Sequence, residues 1–225
     1  MKAVKRELRK RQETNGDCGG CCTRIGSWEF ATGTICNRKD AKGLEPSPMT
    51  PLTGFEIASC TKPFVAVAVL LLLEAGKIRS LDDAIVQYIP QVLQAAEAHP
   101  ECGTRTIAHL LSQRSGLHDF WQSKAFIKAF KQQGRDRFWP PEDCLLYVLP
   151  LKPSFEAGTS YEYTDTNFVL CGLLVEAVGG QSLHAFLRER VFDPLCMNQT
   201  YMSYREQVPE GDVSHRYEGS KSLHA

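Results

Sequence analysis

The sequence predicts an α+β fold in which a few N-terminal strands precede a long helical region. Residues 24–30 and 32–36 have the β-branched and aromatic content of two short strands. Signals that start and stop helices then follow one another from residue 59 to about residue 200, with no internal repeat. Apolar residues make up 43% of the 225 residues and charged residues 23%, which is typical of a globular protein and excludes a disordered or coiled-coil one.

Residues 1–23 form a basic, cysteine-rich segment that we expect to precede a domain spanning residues 24–225. Six of the first eleven residues are basic, which favours a frayed, solvated helix over a nucleic-acid-binding arm. Three cysteines at positions 18, 21 and 22, with Cys36 further on, leave a zinc-binding module as an alternative. A second close pair of ligands is missing, so we expect free thiols and no metal.

The charge balance and the apolar runs exclude several classes of protein. The chain has 26 basic and 26 acidic residues, so we expect neither nucleic acid nor a membrane as partner. The longest apolar run, residues 64–73, predicts a buried core helix rather than a membrane span. The first 13 residues lack the apolar stretch of a secretory signal, and the nine cysteines fit reduced thiols, so a cytoplasmic location is expected.

Six helices are predicted from capping and breaking residues. The first is expected to begin at Ser59 and to stop at Gly76. The stretch from Ser80 to Asp83 resembles a capping box, and Thr106 is a suitable N-cap for the third helix. In chain order the predicted helices are 59–75, 80–88, 106–113, 140–149, 166–178 and 182–192.

Ser59 and Lys62 form the single Ser-x-x-Lys pattern of the chain. Residues three apart lie on the same face of a helix, so the hydroxyl and the ammonium can meet. The helix N-terminus favours a developing oxyanion, and partial burial of the lysine is expected to lower its pKa towards use as a base. The alternative is structural, with Ser59 as an N-cap and Lys62 as an extended surface side chain.

Tyr163 and Asp165 form a second candidate pair. No other tyrosine in the chain is followed by Asp or Asn two residues later. The pair lies in a predicted turn just before a helix, where a phenol and a short polar side chain can project together. The structural alternative is a capping Asp beside a half-buried Tyr.

Four segments around these residues resemble the serine β-lactamase and penicillin-recognising hydrolase family, in particular the class C-like branch with its carboxylesterases and D-amino-acid peptidases. FEIASCTKPF at 55–64 resembles the nucleophile segment, and TIAHLLSQRSGL at 106–117 resembles the "HLL…SGL" segment. FEAG at 155–158 through NFVLCG at 167–172 resembles the tyrosine motif and its helix. VFDPLCM at 191–197, with Thr200, resembles the "PLGM…T" segment.

The resemblance implies a β-lactamase/transpeptidase-like fold and an acyl-enzyme mechanism. Ser59 would be the acylated nucleophile, Lys62 the base partner and Tyr163 a second proton carrier. Asp165 would stand at a substrate-binding position. The expected substrate is a small ester, amide or β-lactam-like molecule, and the resemblance implies no cofactor.

The chain departs from the family pattern at several positions. Asp165 replaces a common Asn, and a carboxylate there would hold Lys62 protonated, which weakens the β-lactamase interpretation. Ala157 replaces a Pro and Cys196 a Gly. Neither a Lys-Ser/Thr-Gly nor a His-x-Gly pattern follows Asn167.

The missing third motif predicts an incomplete sheet and a chain truncated at its C-terminus. By resemblance one oxyanion-hole donor would come from the absent strand, and losing such a donor costs about 10²–10³ in rate. An exposed sheet edge would favour self-association.

Two functions are therefore carried forward. The first is a serine hydrolase acting through an acyl-enzyme on Ser59, with an ester or amide substrate. The alternative is a catalytically inactive remnant or binding module of the same fold. Residues 118–121 (His-Asp-Phe-Trp) follow the "SGL" segment and either line the cleft or supply core aromatics, the latter being the more usual.

Overall fold

The chain divides into two compact units, Ser59–Gln207 and a second unit made of Met1–Ala58 with Val208–Ala225. The computed structural model describes residues 21–25, 28–32, 48–50, 52–95, 99–133, 138–203, 205–207, 217–218 and 221–222. All of the candidate site residues belong to the Ser59–Gln207 unit. The predicted boundary between residues 23 and 24 falls inside a strand. The domain spanning residues 24–225 stays a prediction.

The described strands of the second unit form two short antiparallel hairpins. β1 (Cys21–Ile25) pairs with β2 (Trp28–Thr32), and β3 (Tyr217–Glu218) pairs with β4 (Lys221–Ser222). Because Ile25 is paired with Trp28, the predicted strand 24–30 is wrong: its residues are divided between β1 and β2. Of the second predicted strand, 32–36, Thr32 lies in β2 and residues 33–36 lie outside the described residues. The sequence prediction placed breaks at Gly33 and near Ala31, whereas Ala31 lies within β2, where it is paired with Cys22.

Helices make up most of the Ser59–Gln207 unit. Short 3₁₀ turns (Ala58–Thr61, Ile85–Gln87, Pro100–Thr104 and Phe120–Gln122) connect or precede them. The α-helices are α1 (Lys62–Glu74), α2 (Gln91–Ala95), α3 (Ile107–Leu111), α4 (Lys124–Gln133), α5 (Pro141–Leu145), α6 (Asp165–Gly179) and α7 (Leu183–Leu187), and a π-helical turn, Arg188–Phe192, continues α7.

The longest predicted helices end where the sequence indicates. Gly76 follows α1 with φ of 69°, and Gly180 caps α6 with φ of 74°. Thr106 caps α3 as predicted: its side chain accepts a hydrogen bond from the backbone N–H of His109, whose ring accepts one from the Thr106 N–H. Local capping chemistry therefore determines these ends.

The predicted helix 80–88 is wrong, because only one 3₁₀ turn, Ile85–Gln87, forms there. The Ser80 hydroxyl accepts from the Asp82 N–H at 3.0 Å, which makes a turn rather than a capping box. Ala84 is extended because it forms an isolated antiparallel bridge with Thr106. A tertiary contact thus overrides the local helix signal.

The core of this unit lies between α1 and α6, with α3, α5 and α7 against α6. α6 is buried along most of its length, and burial raises the pKa of its Cys171 thiol to about 12. Among the described residues no single helix is long and apolar enough to cross a membrane; only α6 together with Leu183–Phe192, bent by 78°, reaches that length and composition.

α1 is buried on one side only. Val65, Ala68 and Leu72 face the core, whereas Val67 and Leu70 are 42% and 45% exposed. The buried core helix predicted for residues 64–73 is therefore buried on its inner face and exposed on its outer face. The buried face alone fixes α1 against α6, and each fully buried aliphatic side chain there contributes about 1.5–3 kcal/mol.

A glycine is required at position 116, in the segment after α3, because of both the backbone conformation there and the atoms that surround it. Its φ is 74°, and a Cβ added there would lie 2.2 Å from the Phe155 carbonyl oxygen. The Gly116 carbonyl accepts a hydrogen bond from the Ser154 N–H at 2.9 Å. The close approach of residues 116 and 155 thus holds together the two loops that flank the candidate site.

We expect Gly116→Ala to lower the free energy of unfolding by at least about 3 kcal/mol, because positive φ and a backbone clash act together. Gly76→Ala is the matched control, since Gly76 also has positive φ but nothing lies within 4 Å of an added Cβ. That change should cost only about 1–2 kcal/mol. Urea denaturation of both variants measures this, and equal losses would contradict the close approach at Gly116.

Candidate active site

Ser59 lies in the 3₁₀ turn Ala58–Thr61, directly before α1. Ser59 is exposed, and Ala58 before it has φ of 45°, a conformation unfavourable for a residue with a Cβ. Lys62 is the first residue of α1, and its Nζ lies 3.2 Å from the Ser59 Oγ. The contact predicted from the spacing of three residues is therefore present, on a tight turn rather than inside an α-helix.

Tyr163 and Asp165 approach the same two residues from more than 100 positions away in the chain. The Tyr163 hydroxyl donates a hydrogen bond to the Ser59 Oγ at 2.8 Å. The Asp165 Oδ1 lies 2.5 Å from the Lys62 Nζ. The structure thus brings together all four residues singled out in the sequence.

Thr164, not Asp165, caps α6. The Thr164 side chain accepts a hydrogen bond from the Thr166 N–H at 3.1 Å, whereas Asp165 is the first residue of the helix. The structural alternative of a capping Asp is therefore wrong. A carboxylate in the first helical turn is favoured by the helix dipole, and this leaves Asp165 free to pair with Lys62.

Lys62 is held in its charged form. Partial burial acts to lower the pKa of the Lys62 ammonium, but hydrogen bonds to Asp165 and Tyr163 and the charge of Asp165 outweigh it, so the pKa is raised above its ordinary value of 10.5. The Lys62 Nζ also lies 4.7 Å from the centre of the Tyr163 ring. The expected lowering of the lysine pKa is wrong in direction, and the expectation that a carboxylate at 165 would keep Lys62 protonated is confirmed.

This ion pair predicts a pH-dependent stability difference between the native protein and Asp165→Asn. A raised lysine pKa contributes stability that is complete below pH 10.5 and is lost as the pH rises through the pKa of the folded state. With side chains 14% and 32% exposed, the pair contributes about 1 kcal/mol. Urea denaturation at pH 8 to 12 should show a difference that disappears at the alkaline end; one that grows with pH would contradict the pairing.

Asp119 is a neighbour of the site whose contacts the sequence does not reveal. Its carboxylate accepts hydrogen bonds from the backbone N–H groups of Trp121, at 3.0 Å, and of Asp165. Burial raises the pKa of the Asp119 carboxyl, and the charge of Asp165 acts in the same direction. A second carboxyl therefore lies beside the Lys62–Asp165 pair.

Residues 118–121 are expected either to line the cleft or to supply core aromatics, and the neighbours of Asp119 include examples of both a buried and an exposed aromatic side chain. Phe120 is 7% exposed and packs edge-on against Phe126, as a core aromatic would. Trp121 is 45% exposed. His118 accepts hydrogen bonds on its backbone carbonyl from the hydroxyls of Thr164 and Thr166, which ties this segment to the start of α6.

No group of three or more His, Cys, Asp or Glu side chains in the described part of the chain could hold a metal ion. The cysteine-rich segment singled out as a zinc alternative lies outside the residues whose side chains the structure describes. The described free thiols are Cys60 and Cys196, which are exposed, and the buried Cys102, Cys144 and Cys171.

The profile of the Beta-lactamase family matches residues 33–225. Penicillin-binding protein 4* of Bacillus subtilis is 30% identical over 177 residues, which are 76% of this chain and 35% of that protein. A D-aminopeptidase of Brucella anthropi is 32% identical over 150 residues, 66% of this chain and 26% of that protein. The chain thus spans about a third or less of the length of these relatives.

A solved structure supports the same assignment. The D-amino acid amidase of Ochrobactrum anthropi SV3, complexed with D-phenylalanine, superimposes with a TM-score of 0.68 at 26% identity, over 87% of this chain and 49% of that one. The fold is therefore part of the β-lactamase/transpeptidase fold, as the sequence predicts. The family profile covers far more than half of the chain, and the protein belongs to the Beta-lactamase family.

Proposed function

We propose that the protein is a serine hydrolase that acts through an acyl-enzyme on Ser59. The observation that carries this proposal is the double hydrogen bonding of one exposed hydroxyl: the Ser59 Oγ is contacted by the Tyr163 hydroxyl at 2.8 Å and by the Lys62 Nζ at 3.2 Å. An exposed hydroxyl within hydrogen-bond distance of a phenol and of a cation has the surroundings of an activated nucleophile once the phenol acts as the proton acceptor.

Tyr163 is proposed to accept the Ser59 proton. Lys62 is held protonated by Asp165 and so has no free electron pair for a proton. For this step Tyr163 has to have given up its own proton, and the Lys62 ammonium, 4.7 Å from the centre of the Tyr163 ring, stabilises the negative charge on that residue. As the bond between the Ser59 Oγ and the substrate carbonyl carbon forms, the serine proton moves to the Tyr163 oxygen.

The leaving group then departs with that proton. When the tetrahedral intermediate collapses, the bond from carbon to the leaving nitrogen or oxygen breaks and Tyr163 returns the proton to it. In the second half of the reaction water attacks the acyl carbon and gives one proton to Tyr163. The bond from that carbon to the Ser59 Oγ then breaks, Tyr163 returns the proton to the Ser59 Oγ, and the carboxylic acid is released. Lys62 keeps its charge throughout and stabilises the negative charge on Tyr163.

The charges beside the nucleophile favour an amino-acid amide or ester over a β-lactam. Asp165 and Asp119 supply two carboxyl groups against the single ammonium of Lys62 among the described neighbours. A substrate with a free ammonium group is electrostatically suited to such a site, whereas the carboxylate of a β-lactam is not. The similarity to a D-aminopeptidase and a D-amino acid amidase supports the same substrate class.

Hydrolysis of D-phenylalanine amide, L-phenylalanine amide, p-nitrophenyl acetate and the β-lactam nitrocefin tests the proposal. We expect kcat/KM for the D-amide or the ester to exceed that for nitrocefin by at least about tenfold. Faster turnover of nitrocefin than of the other three would overturn the substrate class.

The alternative is a module of the same fold that binds without turnover. Such a module would bind the amide or the acid without releasing product. Calorimetric binding of D-phenylalanine with no hydrolysis of any of the four substrates would favour it.

A further inference from the structure

We infer that Gln113 is the positioning residue that holds Tyr163 at Ser59; this inference rests on the proposed function. Gln113 follows α3 and contacts the chain on both sides of the tyrosine. Its backbone carbonyl accepts a hydrogen bond from the Glu162 N–H at 3.1 Å. Its side-chain Oε1 accepts one from the Thr164 N–H, also at 3.1 Å. The two residues adjacent to Tyr163 are thus bound by one residue.

The side-chain contact belongs to a buried polar network. The Gln113 Oε1 also accepts from the Asn167 Nδ2 at 2.6 Å, and the Asn167 Oδ1 accepts from the Ser115 hydroxyl at 2.6 Å. Gln113, Ser115, Thr164 and Asn167 are all at most 6% exposed. Hydrogen bonds excluded from water are costly to break, so the network makes the Thr164 contact rigid.

The backbone of Gln113 is adapted to the same contact. Its φ is 59°, in the left-handed region that side-chain-bearing residues seldom occupy. The Gln113 N–H is bound to the Leu110 carbonyl at 3.2 Å, so the strained turn is closed on one side by α3 and on the other by Glu162. Such strain persists only where surrounding contacts outweigh it, and it is common at functional sites.

Tyr163 depends on this anchoring because its own side chain is 43% exposed. Packing of the ring therefore contributes little to its position, and the flanking backbone places the hydroxyl 2.8 Å from the Ser59 Oγ. Displacement of a catalytic group by about 1 Å can cost on the order of 10²-fold in rate.

Gln113→Met and Gln113→Glu test the inference. Methionine keeps the length of the side chain but cannot accept the two hydrogen bonds, so we expect kcat to fall about 10- to 100-fold while KM stays within about threefold. Glutamate keeps an acceptor oxygen, and the Gln113 Nε2 that it replaces has no hydrogen-bond partner in the described part of the chain. Gln113→Glu should therefore retain kcat within about threefold, even though a buried carboxyl lowers stability.

Tyr88→Phe is the matched control for stability. It also removes two hydrogen bonds, one donated to Asp83 and one accepted from the Arg79 N–H. We expect Tyr88→Phe to lower the melting temperature without changing kcat. If kcat falls in proportion to the melting temperature across Gln113→Met, Gln113→Glu and Tyr88→Phe, Gln113 has a purely structural role and the inference is overturned.

Amide hydrogen exchange followed by NMR tests the anchoring of Tyr163 by Gln113 without any substrate. The Thr164 amide should lose at least about tenfold of its protection in Gln113→Met and keep it in Gln113→Glu. Unchanged protection in Gln113→Met would overturn the inference. If the native protein hydrolyses nothing while the exchange result is as expected, the proposed function fails. The anchoring of the Tyr163 backbone by Gln113 then stands as a structural finding.

Discussion

Ser59→Ala is expected to abolish hydrolysis, with a loss of at least about 10³-fold in kcat. The hydroxyl removed is the one atom that both Tyr163 and Lys62 contact, so no neighbouring group can take its place in the acyl-enzyme. Ser59 is exposed, and α1 begins at Lys62 with Thr61 as its N-cap. The variant should therefore fold with the stability of the native protein. Initial rates on D-phenylalanine amide measure the effect.

Cys60→Ser is the matched control for Ser59→Ala. Cys60 is an exposed thiol next to the nucleophile, and it could react with electrophilic reagents in its place. We expect Cys60→Ser to retain the native rate. Full activity in Ser59→Ala, or loss of activity in Cys60→Ser alone, would show that Ser59 is not the nucleophile.

Tyr163→Phe is expected to lower kcat by about 10²–10⁴-fold, the range of a single general acid–base group. The ring remains, so its cation–π contact with Lys62 is preserved, while the hydroxyl 2.8 Å from Ser59 is lost. With Lys62 held protonated by Asp165, the described site has no equivalent acceptor hydrogen-bonded to Ser59. Pre-steady-state kinetics on p-nitrophenyl acetate should show slower acylation as well as slower deacylation.

Lys62→Met separates the role of Lys62 from that of Tyr163. It removes the cation but leaves Tyr163 beside Ser59. Because the Lys62 ammonium is proposed to stabilise negative charge on Tyr163, we expect Lys62→Met to lower kcat while part of the Tyr163-dependent turnover remains. Native activity in Tyr163→Phe combined with complete loss in Lys62→Met would instead make Lys62 the base and contradict the assignment to Tyr163.

The helices that the sequence predicts best are those with local end signals. Gly76 and Gly180 both adopt positive φ at the ends of α1 and α6, and Thr106 caps α3 through its own side chain. The predicted helix 80–88 failed because the bridge between Ala84 and Thr106 joins residues distant in sequence. Local chemistry can be inferred from neighbouring residues, and such a pairing cannot.

The same distinction applies to the site. The contact between Ser59 and Lys62 follows from a spacing of three residues, whereas the approach of Tyr163 across 104 positions was implied only by the family resemblance. Burial alone predicted the wrong direction for the Lys62 pKa, because the partner Asp165 comes from another helix. The contacts of Asp119 and Gln113 with the Tyr163 loop depend wholly on the fold.

Intact-mass analysis after exposure to a fluorophosphonate tests the central claim most directly. The native protein and Cys60→Ser should each gain one phosphonyl group, and peptide mapping should place it on Ser59. Ser59→Ala, shown to be folded by circular dichroism, should gain none. A folded native protein that forms no adduct, or an adduct that persists in Ser59→Ala, would contradict the account of Ser59 as an activated nucleophile.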